Sequence, residues 1–380
     1  MSEKRSIFEE VSGEGKPAEQ TKGMIDQGRG QGARRMIRVW LMGLFALVVA
    51  VIVVGGLTRL TDSGLSITEW KPVTGAWPPM SEAAWSAEFA KYQAIPEFQI
   101  QNQWMQLTDF KGIYWWEWGH RQLGRTIGLV WFIGFLAFWG LRKIPVGWTG
   151  RLFFIGVLGG LQGALGWWMV RSGLSGGMLD VASYRLAMHL GLAFVILGFI
   201  GWFVLLLGRE ERVLMQARRG REAGLVSGAG AWMGLAFVQV LIGALVAGID
   251  AGRSYTDWPL MAGRFLPAEM WRIEPVWRNL FENPGTVQFI HRMVGYALLI
   301  FAIWVWRRGR RSANRATRAA FSMAFMAICG QVLLGIVTVI YGAPWQVAIL
   351  HQLLAVVVWV LILRARFLSQ YPLAQSLREG

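Results

Sequence analysis

Four histidines occur in this chain of 380 residues, and their placement is the first sign of chemistry. His120 and His291 are each followed by an arginine, Arg121 and Arg292, and then by Gly124 and Gly295. His189 and His351 each lie about one turn into another long apolar stretch. A single histidine at membrane depth usually makes a helix–helix hydrogen bond. Two repeated pairs at one depth are different, because ionisable groups inside a bilayer are costly and are kept for function. Two imidazoles from facing helices of a four-helix bundle are what a six-coordinate heme iron requires. Zinc is disfavoured, since two histidines per set leave its shell incomplete and the one cysteine, Cys329, has no partner. That cysteine also excludes a disulfide framework and reads as a small buried apolar residue. Gly119, Gly124, Gly128, Gly191, Gly295, Gly330 and Gly335 would let a flat macrocycle pass between backbones. Arg121, Arg125 and Arg292 admit two readings: pairing with heme propionates, or snorkelling to outer headgroups.

The two sets are not identical. One reads Glu117-Trp-Gly-His120-Arg121 and the other Gln288-Phe-Ile-His291-Arg292. The position three before a histidine shares its helix face. Glu117 is therefore expected at the edge of the group held by His120, where a carboxylate can take a proton or stabilise positive charge. A glutamine can do neither. The first set is the expected reaction site; the second is an electron-transfer or structural heme.

Elements of bilayer length must position these residues. Apolar residues make up 54% of the chain and charged residues 16%, too little charge for an ordinary soluble domain. A span needs roughly 20 apolar residues, and eight such stretches occur at about 38–57, 121–141, 151–170, 186–207, 231–250, 287–306, 319–341 and 345–363. The histidines of the even spans thus fall near one leaflet. The net charge of +15 is concentrated in the segments on the other side, including Arg34, Arg35, Arg142, Lys143, Arg218, Arg219, Arg310, Arg311 and Arg364. By the bias of Lys and Arg toward cytoplasmic loops, both termini are cytoplasmic, and a nucleic-acid role falls away. Two long Trp-rich loops, about 58–116 and 251–285, cap the opposite face.

The chain also repeats itself. Asp62, Gly64, Ser66, Thr68 and Trp70 match Asp250, Gly252, Ser254, Thr256 and Trp258 at one constant separation. Gln162 and Gly166 match Gln331 and Gly335. This predicts an all-α integral membrane protein of two tandem four-helix bundles, related by a pseudo-twofold axis along the membrane normal. The expected divisions are a disordered tail 1–36, a first bundle 37–208, a linker 209–230, a second bundle 231–365 and a tail 366–380. Asp62, Glu69, Asp250 and Asp257 are expected to cap or bind loops.

The run Glu117–Arg121, the segment GGLTRLTDSGLSITEWKP at 55–72, the second His-Arg at 291–292 and the duplicated halves resemble heme A synthase, in its proteobacterial and mitochondrial form. The similarity runs from about residue 36 to residue 365. The resemblance implies oxidation of the C8 methyl of heme O to a formyl group, through a hydroxymethyl, to give heme A for terminal oxidases. It implies substrate heme between His120 and His189, a resident heme b between His291 and His351, and a catalytic Glu117. It further implies a bacterial inner-membrane location with hemes toward the periplasm. Implied partners are the farnesyltransferase that makes heme O, as donor, and oxidase assembly factors; a homo-oligomer is compatible with it. Some members carry an outer-loop cysteine pair for redox transfer, and this chain has none. The competing readings are a di-heme b-type cytochrome serving quinol without altering its heme, and a heme carrier.

Overall fold

The computed structural model describes residues 31–174 and 178–375. Most of the expected 1–36 tail, with Lys4, Arg5, Lys16, Lys22 and Arg29, lies outside the described residues, as do 376–380. In chain order the helices are α1 Gln31–Leu60, α2 Glu82–Gln93, α3 Pro96–Ile100, α4 Leu107–Gly140, α5 Thr149–Gly173, α6 Ser183–Leu207, α7 Glu211–Arg219, α8 Ala223–Gly248, α9 Asn279–Glu282, α10 Pro284–Gly309, α11 Arg315–Ile340 and α12 Trp345–Gln370. Among the described residues, α1, α4, α5, α6, α8, α10, α11 and α12 are long and apolar enough to cross a membrane. The all-α membrane class expected from the sequence is thus observed. Large apolar side chains such as Phe132, Ile133, Trp139, Ile300 and Leu333 stand exposed on these helices, as contact with lipid allows.

Helix ends follow local chemistry, and several differ from the sequence expectation. α1 begins within the expected tail because Arg34 and Arg38 donate to Leu206, Arg209 and Val204 carbonyls at the end of α6. The expected 209–230 linker contains α7, which buries Leu214, and the first turns of α8. α12 runs beyond residue 365 because Phe367 and Leu368 are buried, with Phe367 edge-on to Trp202 at 5.3 Å. α4 starts well before His120, at a capping box between Gln106 and Asp109. Phe110, Tyr114 and Glu117 fall at helical spacing and form its buried face there.

Two rings of helices share one connectivity. α1, α4, α5 and α6 pack each on the next, and α8, α10, α11 and α12 do the same. The rings meet where α6 packs on α8, α1 on α12 and α6 on α12. Exchange of the halves maps α6–α8 onto α12–α1 and α6–α12 onto itself. One core gathers Leu41, Leu44, Leu152, Phe194 and Leu197; the other gathers Trp232, Phe321, Ala302 and Ile362. Trp359 of α12 enters the first core against Phe194, which ties the rings together.

A part-buried arginine sits where the repeats meet. Arg59, at the end of α1, bonds Asp62 at 2.8 Å and Asp250 at 2.7 Å. These are the matched aspartates, and both hold a left-handed backbone, at φ 48° and 51°. Aspartate tolerates that region better than most residues.

The outer loops are built differently. The first covers a cluster of Leu65, Trp85, Tyr92, Ile95, Phe110 and Tyr114. The second is fastened by amides. Asn279 donates to the carbonyls of Ile273 and Val276 at 2.7 and 2.8 Å, and Asn283 caps α10 at the Thr286 N–H.

Candidate functional site

Each histidine lies against a glycine of a neighbouring helix. A Cβ on Gly55 of α1 would come within 2.6 Å of His120 Cε1, and one on Gly166 of α5 within 2.9 Å of His189 Cε1. The corresponding approaches are 3.2 Å for Gly243 of α8 to His291 and 3.0 Å for Gly335 of α11 to His351. Only glycine permits such seats without displacing the ring. His120 and His189 are within electrostatic reach of one another, and so are His291 and His351. The structure thus brings the four rings together as two pairs, one in each helix ring. Among the described residues no three of His, Cys, Asp and Glu converge.

Three of the four histidines carry a glutamine one turn before their glycine. Gln162, Gln239 and Gln331 each donate from Nε2 to the main-chain carbonyl of His189, His291 and His351, all at 3.0 Å. The same Nε2 atoms lie 3.1–3.3 Å from ring nitrogens. At the fourth seat the equivalent position holds Val51, whose main-chain carbonyl is the hydrogen-bond partner of the His120 ring.

Glu117 is 3% exposed and its carboxylate is fully engaged. Ser66 Oγ and the Ile67 N–H each donate to Oε2 at 2.7 Å. Arg121 donates to Oε1 through Nε at 2.9 Å and through Nη2. Four donors on two oxygens suit an acceptor-only carboxylate and fix its orientation. The first outer segment, docked on α4, supplies two of them.

The second half docks the equivalent segment with opposite polarity. Gln288, equally buried, donates to the Tyr255 carbonyl at 2.9 Å, and Arg292 Nη2 donates to the same oxygen at 3.1 Å. Gln288 Oε1 and Arg292 Nε are buried without partners. Among the described residues no carboxylate forms an ion pair with Arg292.

The three arginines expected at propionates or headgroups fasten the outer loops. Arg121 donates to the carbonyls of Ile67 and Glu69, Arg125 to those of Pro72 and Lys71, and Arg292 to those of Leu260 and Tyr255. Irregular segments over a bundle mouth have carbonyls with no partner of their own, and the guanidinium fork supplies several donors at once. Of the acidic loop residues, Asp257 binds its loop as expected, whereas Asp62 and Asp250 pair with Arg59, Asp250 makes no side-chain cap, and Glu69 pairs with lysines. Asp257 accepts from the Ala262 and Gly263 N–H groups, which hold its carboxyl below the usual range. Glu69 is held low by hydrogen bonds from Lys71 and Lys91.

Sequence reasoning missed Val51, Gly55, Ser66, Gln239 and Gly243. The repeat register contained the signal, because Val51 and Gly55 stand to Gln239 and Gly243 as Asp62 stands to Asp250. It also missed Glu97 on α3, which is 3% exposed. Burial, then the negative charges of Asp180, Asp62 and Glu117, push its carboxyl up to about 8.

Residues 38–363 match the family described as cytochrome oxidase assembly protein (COX15-CtaA). The chain is 67% identical over 380 residues to the heme A synthase of Ruegeria pomeroyi, covering 100% of both chains. It is 66% identical to the heme A synthase of Dinoroseobacter shibae over 100% of this chain and 99% of that one. Against the heme A synthase of Cereibacter sphaeroides it is 58% identical over 99% of this chain and 98% of the other. With this match spanning every helix ring and both histidine pairs, the chain belongs to the cytochrome oxidase assembly protein family that includes the heme A synthases.

Proposed function

We propose that this protein is a heme A synthase that oxidises the C8 methyl of heme O to a formyl group. The observation that carries the reading is a repeated imidazole–glycine seat with a clamped carboxylate beside only one copy. In this reading His120 and His189 hold heme O as substrate, and His291 and His351 hold heme b. The fit of both groups rests on the axial pairs and on the glycine seats. A bound b-type heme would supply one-electron transfer next to the substrate site.

The chain's own residues then have defined work. Ser66, Ile67 N–H and Arg121 stop the Glu117 carboxylate from turning, so its negative charge stays on the His120 face of α4. Charge fixed in a water-poor site stabilises positive charge developing on a methyl carbon as it is oxidised, without reorganisation. The first outer segment covers that side and bonds the carboxylate there, and water is the source of the oxygen that the oxidised carbon takes up. The unpartnered Arg292 Nε, and donors of Arg125 beyond its loop bonds, are available to propionates.

The Arg-rich segments argue for a plasma membrane location with cytoplasmic termini and both sites toward the periplasm. Heme O synthase is the fitting donor, and oxidase assembly factors the recipients. A di-heme cytochrome that leaves its heme unchanged would have no use for the difference between Glu117 and Gln288. The test is coexpression with a heme O source, followed by pigment extraction and mass determination. Wild type should yield the formyl product, and Glu117→Gln should retain heme b but yield heme O. Formyl product from Glu117→Gln at wild-type level would overturn the assignment.

A further inference from the structure

Two buried carboxyl groups lie under the first outer loop, and their surroundings suit them to different work. Glu117 receives four donors, which fill the roughly four lone-pair sites of a carboxylate and leave none free for a further proton. Glu97 of α3 is equally buried, but the Tyr92 hydroxyl bonds it and its Oε2 has no partner. Phe98, next to it, packs in the apolar cluster of Tyr92, Phe110 and Tyr114. That cluster also takes in Leu65 and Ile67, on either side of the Glu117 donor Ser66, and Val181 beside Asp180. Burial, with the charges of Asp180, Asp62 and Glu117 against the one cation Arg59, pushes the Glu97 carboxyl up to about 8. A group in that range can both take and give a proton near neutral pH. Two carboxyls in such unlike surroundings fit a division of labour, one holding charge and the other carrying a proton. Asp62 and Asp180, which act on Glu97, reach solvent, at 51% and 40% side-chain exposure. The second loop is tied instead by the buried amides of Asn279 and Asn283, which do not titrate.

We infer that Glu97 is the proton-relay residue of the first bundle, taking up the proton that water releases as it bonds the oxidised methyl carbon and passing it to Asp180 and Asp62 at the outer face. This rests on the proposed oxidation of heme O, and it adds where a proton of that reaction goes. The step is redox-neutral, because the electrons have left the carbon before it. Water's oxygen forms a bond to the cationic carbon, one O–H bond breaks, and the proton ends on the Glu97 carboxylate. Glu97 must empty toward Asp180 and Asp62 before it can accept, so the relay runs faster as pH rises.

The test pairs the purified full-length protein with membranes supplied with heme O. Infrared difference spectra of the protein across a pH titration should show a carboxylic C=O band that is lost as pH rises through about 8. Glu97→Gln should remove the band. Glu117→Gln should keep it but move its loss to lower pH, because one negative charge acting on Glu97 is gone. In the membranes, the wild-type rate of heme A formation should rise through the same pH window. Glu97→Gln should slow it by about 10²-fold or more, the usual worth of a positioned proton-transfer group, and flatten the profile. Glu97→Asp should restore a pH-dependent rate. Should Glu97→Gln fail to accumulate, Tyr92→Phe decides in its place: losing a donor that favours the carboxylate should move both the band and the rate profile to higher pH. A band that survives Glu97→Gln, or a wild-type rate and profile in that variant, overturns the relay. If wild-type membranes give no formyl product while the band behaves as expected, the heme O reading fails and Glu97 remains the proton carrier.

Discussion

The two halves of this molecule share a helix order, a ring packing and a histidine–glycine seat, yet differ at the buried position before the first histidine and at the position one turn before its glycine. Glu117 corresponds to Gln288, and the half-buried Val51 to the half-buried Gln239. In the first half a carboxylate collects four donors from a serine, a main-chain N–H and an arginine. In the second an amide donates to the same stretch of docked loop and leaves Arg292 without a carboxylate. On the proposed reading, a change of polarity at one position of a duplicated scaffold marks one copy for reaction.

The largest expected effect breaks the comparison at its reactive side. Glu117→Gln should lower heme A formation by roughly 10²- to 10⁴-fold, the usual worth of a positioned acid–base or charge-stabilising group. Gln288→Glu should not create a second reactive site, because Tyr255 presents a carbonyl there; extracted-pigment analysis reads both. Next come the seats. A Cβ branch at Gly55 must push the His120 ring, and one at Gly335 must push His351. Gly55→Val should abolish the low-spin signal of the first bundle alone, and Gly335→Val that of the second alone, in optical spectra of loaded protein.

The loops offer a smaller contrast, in stability rather than chemistry. Phe110 is fully buried under the first loop, where water, not lipid, is the alternative. Phe110→Ala should cost ~3–5 kcal/mol. Asn279→Ala, which strands loop carbonyls of the second half, should cost about 1–3 kcal/mol. Thermal unfolding in detergent should rank them in that order, with proteolysis opening the corresponding loop first.

The weakest effect concerns pH. Glu97 lies under the first loop, where the second loop has the neutral Asn279 and Asn283. With its carboxyl up at about 8, against an ordinary 4.5, the folded protein binds this proton more tightly than the unfolded chain. Its contribution is complete below the ordinary value and is lost as pH rises through about 8. The melting temperature should decline across that window, and Glu97→Gln should flatten the decline; an unchanged slope would show that Glu97 is not the group titrating.

The membrane class, the span count, the histidine pairs and the contrast of Glu117 with Gln288 were legible in the sequence. Apolar run length and residue types at repeated spacing fix all of them. The start of α4 was not, because Phe110 and Tyr114 read as part of a Trp-rich loop until the packed cluster beneath them is seen. The arginines were read as partners of propionates or headgroups. A sequence does not display which loop carbonyls lack partners, and those carbonyls claim Arg121, Arg125 and Arg292. Gln239 and Val51 sat in plain register, but their meaning required knowing that α1 and α8 face the rings of His120 and His291.

The central claim is that each half clasps one heme between its own two histidines. Low-temperature electron paramagnetic resonance of the loaded protein tests it most directly, compared across His120→Ala with His189→Ala and His291→Ala with His351→Ala. Two low-spin ferric signals are predicted in wild type, with either substitution of the first pair removing one and either of the second pair removing the other. Persistence of both signals in any of these variants, or a signal lost only when histidines from different halves are combined, would contradict the account.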